Sequence, residues 1–283
     1  MMAYLKLMRP LNGLMAGVAA VTGFLIASGY ASISTLPGAL ASWLLFASAF
    51  LFTSASMAIN DYFDREVDKL NQPGRPIPSG KVKPEEALLL SLALLSAGLA
   101  VSALLGPGPF AIAVAASALL VAYSACLKRL GLLGNAAVSF CVALTFMYGS
   151  AASSAPTSTV LTFSSMAFLA NMSREVVKGI ADVEGDGLRG VKTLAVARGL
   201  RFAAGVALIF MVLAAAVSAL PVVCGCANLI YIPLILVSDA GLMASTLRVL
   251  AVTSTEEARR SKNLMLAFMS LALIAFLLGC VEP

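Results

Sequence analysis

Apolar stretches of about 20 residues recur along the whole chain, and short polar connections separate them. A helical stretch of that length crosses about 30 Å of hydrocarbon. Backbone groups in lipid must find hydrogen-bond partners within their own segment, so each stretch is predicted to be a helix. We predict nine membrane spans, the eighth interrupted by Pro233 and Asp239, near residues 13–30, 37–59, 87–105, 109–126, 132–152, 157–173, 202–220, 222–247 and 264–281. The predicted fold class is thus an all-α polytopic membrane protein, one bundle in a single domain over residues 1–283.

Charge is scarce and segregated. Charged residues make up 12% of the chain, whereas a soluble domain carries about 25%. Loops rich in Lys and Arg lie on the cytoplasmic side of membranes, which predicts a cytoplasmic N-terminus and a multi-pass protein of the cell membrane. On the nine-span map all 19 Lys and Arg fall on one side, in the N-terminus, residues 60–86, Lys128–Arg129, residues 174–201 and residues 248–262.

Composition excludes some chemistry. The chain has no His, which rules out His-ligated metal and a His general base. The net charge of +5 follows from the loop pattern and gives no indication of nucleic-acid binding. Three of the five Cys (Cys224, Cys226 and Cys280) fall toward the outer side, where either a disulfide or plain helix packing is compatible with the sequence.

A first acidic motif follows the second predicted span. If that helix continues beyond the membrane, Asn60, Asp64 and Asp68 recur every four residues, within roughly 80° of its circumference at about 100° per residue, and Asp61 lies beside them. Carboxylates on one stripe repel each other unless a cation lies among them. Oxygen ligands of this kind suit Mg²⁺, which commonly joins carboxylates to substrate phosphates. A solvated helix end balanced by nearby cations is the alternative.

A second acidic motif follows the sixth span. Asp182 and Asp186 are four residues apart, and Lys178 and Arg174 extend the same stripe backwards, while Glu184 points elsewhere. Two carboxylates and two cations on one face would meet a diphosphate with bound metal, because carboxylates bind metal and cations bind phosphate oxygens. The alternative is a row of ordinary salt bridges along the helix.

A proline-rich loop lies between the two motifs. Residues 71–80 contain three prolines, which restrict the backbone and disfavour helix. We expect an extended, stiff loop that places Arg75 at a defined position, whereas the alternative is a simple helix breaker.

These residues together resemble the UbiA superfamily of intramembrane prenyltransferases. The family's first signature, N-D-x-x-D-x-x-x-D, is matched by the first motif, and its R-P-I-P-S-G loop by residues 75–80. Its second signature, D-x-x-x-D-x-x-x-G, is matched by Asp182, Asp186 and Gly190, and the stretch from Arg9 to Asn12 also resembles the family. One departure concerns the family's Tyr-x-x-x-Lys, since Tyr123 here precedes Lys128 by five residues. The sequence around the second motif is most similar to that of the archaeal digeranylgeranylglyceryl phosphate synthase branch.

The resemblance implies an enzyme that transfers an isoprenyl chain from its diphosphate to a lipid-soluble acceptor inside the membrane, with Mg²⁺ joining both acidic clusters to the diphosphate. In the archaeal branch the product carries the second ether bond of archaeal membrane lipids. The implied metal ligands are Asn60, Asp61, Asp64, Asp68, Asp182 and Asp186. The implied substrate-binding residues are Arg9, Asn12, Arg75, Lys128, Arg174 and Lys178. The implied catalytic residues are Asp64, Asp68, Asp182, Asp186, Tyr123 and Lys128. Neither nucleic acid nor an obligate protein partner is expected.

Two other functions compete with this hypothesis. An aromatic acceptor, as in quinone precursor prenylation, fits the same motifs, whereas a glycerol phosphate acceptor should need extra cations, for which Lys81, Lys83, Arg189 and Lys192 are candidates. A cation transporter is the second alternative. Transport sites usually lie near the membrane midplane, but Asp239 is the single acid within a predicted span, and both acidic motifs lie at the cytoplasmic boundary.

Overall fold

A computed structural model describes residues 2–153, 157–188 and 191–279, and within these ranges the chain is helical with no β-strand. Two short 3₁₀ helices, Tyr30–Ser34 and Leu127–Leu130, join longer elements. The α-helices are α1 Met2–Met8, α2 Pro10–Ser28, α3 Leu36–Asn71, α4 Pro84–Leu104, α5 Pro107–Ala125, α6 Leu132–Ser150, α7 Ser158–Ala181, α8 Val183–Leu188, α9 Leu194–Arg198, α10 Leu200–Ser218, α11 Leu220–Val223, α12 Tyr231–Val252 and α13 Thr255–Gly279.

Proline and threonine set many of the helix starts. A proline stands in the first turn of α2, α3, α4 and α5, where its missing N–H is not needed. Thr35, Thr157 and Thr193 cap α3, α7 and α9, each accepting a hydrogen bond from a backbone N–H three residues on. Local sequence therefore defines where these helices begin.

Eight helices in the described part of the chain are long and apolar enough to cross a membrane. They are α2, α3 up to Glu66, α4, α5, α6, α10 continued through α11, α12 and α13. The ninth predicted span, residues 157–173, forms the first part of α7, which carries polar and charged residues and is not among these eight. The all-helical, multi-span class is confirmed, and α7 is the element on which the expected nine and the observed eight differ.

Two predicted span boundaries were wrong. The eighth span begins at Tyr231 rather than near residue 222, because α11 ends at Val223 and a bend precedes α12. Pro233 lies in the first turn of α12, where proline is tolerated, so it does not interrupt the helix. The last helix begins at Thr255, well before the predicted residue 264, so its first turns carry charge.

The chain divides into two compact units. Unit 1 is Met1–Cys126 with Leu144–Ala155, and unit 2 is Leu127–Ala143 with Pro156–Pro283, so the division falls within α6. In unit 1, α3 packs against α2, α4 and α5. In unit 2, α7 packs against α10 and α13, around an apolar core rich in Ala, Val and Met. The two acidic motifs thus belong to different units, and the single-domain organisation stays a prediction.

Candidate active site

The first acidic motif lies on one continuous helix, as the sequence predicts. Helix α3 runs from Leu36 to Asn71 and carries Asn60, Asp61, Asp64 and Asp68. The three aspartates are 2%, 8% and 4% exposed, so these are buried carboxylates and the solvated-helix alternative is wrong for them. Asn60 Nδ2 donates to Asp64 Oδ2 at 2.9 Å. Buried charge of one sign requires compensation by cations or hydrogen-bond donors.

Two arginines supply part of that compensation. Arg9 Nη2 donates to Asp61 Oδ1 at 2.5 Å, and Arg75 Nη1 donates to the same oxygen at 3.2 Å. The same Arg75 nitrogen also pairs with Asp68 Oδ2, while its Nε donates to Gln72 Oε1 at 2.9 Å. Burial raises the pKa of Asp68, and the neighbouring Arg75 opposes that rise without cancelling it. The sequence motif is therefore a charge network within unit 1.

The backbone at Arg9 has an unusual conformation. Arg9 has φ 46° and ψ 68°, in the left-handed region, and stands directly before Pro10. A non-glycine residue there carries a cost of order 1–3 kcal/mol, so surrounding contacts must hold it. Leu7, fully buried against Ile77, Val82 and Ala87, anchors α1 on the loop that carries Arg75. The buried end of α1 thus fixes the position from which Arg9 reaches Asp61.

The proline-rich loop was expected to be extended, and this prediction was wrong. Between Gln72 and Val82 the backbone makes consecutive turns, closed by hydrogen bonds such as Arg75 N to Gln72 O and Gly80 N to Ile77 O. The fixed φ of proline suits turns as well as extended chain, and Gly80 provides a positive φ of 72°. The compact loop still places Arg75 at a defined position.

A cavity of about 300 Å³ opens beside this network. Three basic side chains surround one buried carboxylate there, which makes the cavity suitable for an anion. Two of its lining residues, Lys6 and Gln72, were missed by sequence reasoning, because Lys6 was attributed to membrane topology and Gln72 has no charge. The lining residues are Lys6, Arg9, Asp61, Gln72, Gly74, Arg75 and Pro76.

Two further predicted residues of unit 1 have other surroundings. Asn12 Nδ2 lies 3.6 Å from the sulfur of Met57, one helical turn before Asn60 on α3. Tyr123 is buried near the end of α5. Their roles in substrate binding and cation stabilisation stay predictions.

The second acidic motif is broken where the sequence predicts one stripe. Helix α7 ends at Ala181, Asp182 leaves the helical region with φ −107° and ψ 10°, and α8 starts at Val183. Asp182 and Asp186 are half-buried, and Asp182 N donates to Lys178 O across the break. Asp182 Oδ1 lies 3.8 Å from the Nζ of Lys262, a residue of α13 that sequence reasoning missed.

Among the described acids of unit 2, the most buried is Glu175, which was not among the predicted site residues. Its carboxylate lies 2.9 Å from Lys178 Nζ and 3.4 Å from Arg174 Nη1. Burial alone would raise the pKa of Glu175, but the cations Lys178, Arg174 and Lys128 outweigh burial and lower it. The signal available in the sequence was an acid with a cation directly before it, Arg174, and another three residues after it, Lys178.

Lys128 is held by a tight connection. It lies half-buried in the 3₁₀ helix Leu127–Leu130. Gly131, with φ 60°, follows that helix, and an added Cβ there would collide with the backbone oxygen of Lys192. Only glycine fits at this close contact between two backbone segments, and the contact holds the 3₁₀ helix that carries Lys128 within unit 2.

The remaining predicted positions are peripheral or undescribed. Lys81, Lys83 and Lys192 are exposed. Arg189, Gly190 and Cys280 lie outside the described residues, so the second signature's glycine and any disulfide with Cys280 stay predictions. Cys126, Cys224 and Cys226 are free thiols, and Cys141 is buried in α6.

The donor set fits a hard divalent cation in unit 1. No three acidic or sulfur ligands in the described ranges converge on one point. Mg²⁺, however, is usually bound by one or two carboxylates together with substrate phosphates and water. Asp61, Asp64 and Asp68 provide three buried carboxylates on one helix, and oxygen donors of this kind suit such a cation.

Comparisons with known proteins identify relatives that match nearly the whole chain. Digeranylgeranylglyceryl phosphate synthase of Methanopyrus kandleri is 38% identical over 277 residues, covering 98% of both chains. The enzyme of that name from Pyrococcus abyssi is 39% identical over 280 residues, covering 99% of this chain and 97% of the relative. A solved digeranylgeranylglyceryl phosphate synthase structure matches with a TM-score of 0.75 at 30% identity, covering 98% and 97% of the two chains.

The fold is also that of a more distant protein. A UbiA homologue from Archaeoglobus fulgidus, bound to DMAPP and Mg²⁺, matches with a TM-score of 0.68 at 21% identity, covering 96% of this chain and 98% of that one. The model of the UbiA prenyltransferase family matches residues 14–274, which include both acidic motifs and the proline-rich loop. The chain therefore belongs to the UbiA prenyltransferase family.

Proposed function

We propose that this protein transfers a geranylgeranyl group from geranylgeranyl diphosphate to geranylgeranylglyceryl phosphate, forming the second ether bond of archaeal membrane lipids. The structural observation that supports it best is the basic cavity of unit 1, where Lys6, Arg9 and Arg75 surround the buried Asp61. Relatives that bear this enzyme's name and match nearly full length support the choice of substrates.

The unit 1 cavity is proposed to bind the donor's diphosphate. Arg9 and Arg75 direct guanidinium groups at the site, and their forked donors suit phosphate oxygens as well as carboxylates. In unit 2, Lys128, Arg174 and Lys178 provide further positive charge for substrate phosphates. Such preorganised cations stabilise the negative charge that grows on a leaving group.

Mg²⁺ is the proposed cofactor. Asn60, Asp61, Asp64 and Asp68 in unit 1, and Asp182 and Asp186 in unit 2, are the proposed ligands. When bound, the ion would stabilise the negative charge on the diphosphate as a Lewis acid.

The proposed reaction exchanges one C–O bond for another. The bond between C1 of the isoprenyl chain and the diphosphate oxygen breaks, leaving an allylic carbocation and diphosphate. The acceptor's hydroxyl oxygen bonds to C1, and its proton passes to a carboxylate or to the diphosphate, since the chain has no His. The ring of Tyr123, buried in α5, is the candidate to stabilise the cation.

The setting is a membrane. Eight apolar helices and the family identify a multi-pass membrane protein. We further propose that the N-terminus and the active site face the cytoplasm, because both basic clusters lie in the Lys- and Arg-rich connections. The proposed arrangement is one functional domain over residues 1–283, acting on two lipid-soluble substrates.

The test uses purified protein in lipid with Mg²⁺ and labelled geranylgeranyl diphosphate. Geranylgeranylglyceryl phosphate and 4-hydroxybenzoate are offered in separate reactions, while diphosphate release and product mass are followed. We expect transfer to the glycerol phosphate alone. Transfer to the aromatic acceptor alone would contradict the proposed acceptor, and Mg²⁺-independent transfer would contradict the proposed cofactor.

A further inference from the structure

A second basic cluster lies within unit 2, beside the second acidic motif. It comprises Arg174 and Lys178 on α7 and Lys262 on α13, which stand around Glu175 and Asp182. The two helices are tied together there, because Arg174 Nε donates to the backbone oxygen of Lys262 at 3.3 Å. Lys262 is thus fixed beside the second acidic motif although it is 80 residues away in sequence.

The charges around Lys262 are unbalanced. One carboxylate, Asp182, acts on it favourably, whereas Lys178, Arg174 and Arg259 act on it unfavourably. Its ion pair with Asp182, at 3.8 Å, is longer than a hydrogen bond. Arg174 and Lys178, by contrast, are both in contact with the buried Glu175. A partly desolvated ammonium group among like charges is stabilised by an added anion.

The geometry leaves access for such an anion. The side chain of Lys262 is 19% exposed and that of Asp182 is 21% exposed, so the ammonium group is neither sealed in the core nor fully hydrated. An ammonium ion is a compact point charge with three donors, which suits the rounded oxygen array of a phosphate.

We propose that Lys262, together with Arg174, forms a phosphate-binding subsite for the acceptor's phosphate monoester. The inference rests on the proposed function and deepens it. Both substrates of that reaction carry phosphate, and the basic cavity of unit 1 is the proposed site of the donor's diphosphate. The cluster of unit 2 then recognises the second anionic group, and Lys262 determines the preference for a phosphorylated acceptor over an uncharged one.

The experiment compares Lys262→Gln, Lys262→Arg and the matched control Arg260→Gln, an exposed cation on the same helix. KM and kcat are measured for geranylgeranyl diphosphate, for geranylgeranylglyceryl phosphate and for the dephosphorylated acceptor geranylgeranylglycerol. For Lys262→Gln we expect the KM of the phosphorylated acceptor to rise about tenfold or more, as for loss of a charge-assisted hydrogen bond. The donor's KM should change by less than about twofold, Lys262→Arg should restore most of the affinity, and Arg260→Gln should match the wild type.

The ratio of kcat/KM for the phosphorylated over the dephosphorylated acceptor is the decisive quantity, because misfolding would lower both values together. The proposal predicts that Lys262→Gln reduces this ratio at least about tenfold. An unchanged ratio, or a rise in the donor's KM instead, would overturn the subsite while leaving the proposed function intact. Wild-type protein that transfers only to 4-hydroxybenzoate would overturn the proposed function, and the subsite with it.

Discussion

The two charged clusters use the same residue types in opposite ways. In unit 1 the acids are buried and the cations reach in from outside: Asp61 and Asp68 are nearly inaccessible, while Arg9 and Arg75 remain 31% and 20% exposed. In the described part of unit 2 the buried acid Glu175 lies among several cations, and the motif's own aspartates are half-buried.

Burial therefore decides what each cluster still requires. In unit 1, three buried carboxylates offer oxygen donors to a cation such as Mg²⁺, while the guanidinium groups beside them suit phosphate oxygens. The cations around Glu175 and Asp182 retain a positive excess at Lys262, which favours an anion. Both segments contain acidic and basic residues, so their composition alone does not distinguish the two clusters.

The largest expected effect is loss of transfer on removing one acid from either motif. Asp64→Ala and Asp182→Ala should each lower kcat by at least about a thousandfold. Each removes a proposed ligand of the cation that would stabilise the leaving diphosphate. The measurement is diphosphate release by purified, folded protein. Glu66→Ala and Glu184→Ala remove exposed acids from the same segments and should retain activity. Normal activity of either motif variant would contradict the involvement of that motif.

The next largest effect is a loss of stability on removing Arg75. Arg75→Ala leaves the buried Asp61 and Asp68 with one guanidinium fewer, and breaking a buried ion pair in this way costs about 3–5 kcal/mol. A thermal melt in detergent should show a clearly lower Tm, partly restored in Arg75→Lys. Lys69→Ala, which breaks an exposed pair with Glu66, serves as the control. Equal melts for the two alanine variants would show that the unit 1 network does not stabilise the fold.

A smaller loss is expected for Glu175→Gln. Water reaches Lys178 and Arg174, which are 35% and 19% exposed, so losing their carboxylate should cost about 1–2 kcal/mol. Because the positive excess of unit 2 then grows, inorganic phosphate should raise the Tm of this variant more than that of the wild type. A phosphate response no larger than that of the wild type would argue against the cationic character assigned to the cluster.

The smallest effect is the opposite pH response of the two clusters in metal-free protein. The pKa of Glu175 is lowered from its ordinary 4.5, so its stabilisation is present above that pH and is lost as the pH falls through the folded-state value. The pKa of Asp68 is raised from 3.8, so its protonation on acidification favours the folded state. Melts between pH 3 and 7 should therefore show less acid destabilisation in Glu175→Gln than in the wild type, and more in Asp68→Asn. The reverse order would contradict the assigned pKa directions.

Sequence patterns predicted the helical elements far better than the packing of the charged groups. The four-residue spacing from Asn60 to Asp68 predicted one stripe on condition that the helix continues past residue 59, and α3 meets that condition by running to Asn71. The break at Asp182, the turns after Gln72 and the partnership of Asp182 with Lys262 depend on neighbouring segments. Glu175 was missed for the same reason, since its importance comes from burial and not from spacing.

The central claim is that both acidic motifs serve one reaction step. It is tested most directly by the rates of Asp64→Asn, Asp182→Asn and the double variant under saturating Mg²⁺ and substrates. Residues that act as a unit have strongly non-additive effects. We therefore predict that the rate of the double variant is at least about half the rate of the slower single variant. If the two losses instead multiply, the motifs contribute independently, and the account of a shared role in diphosphate departure is wrong.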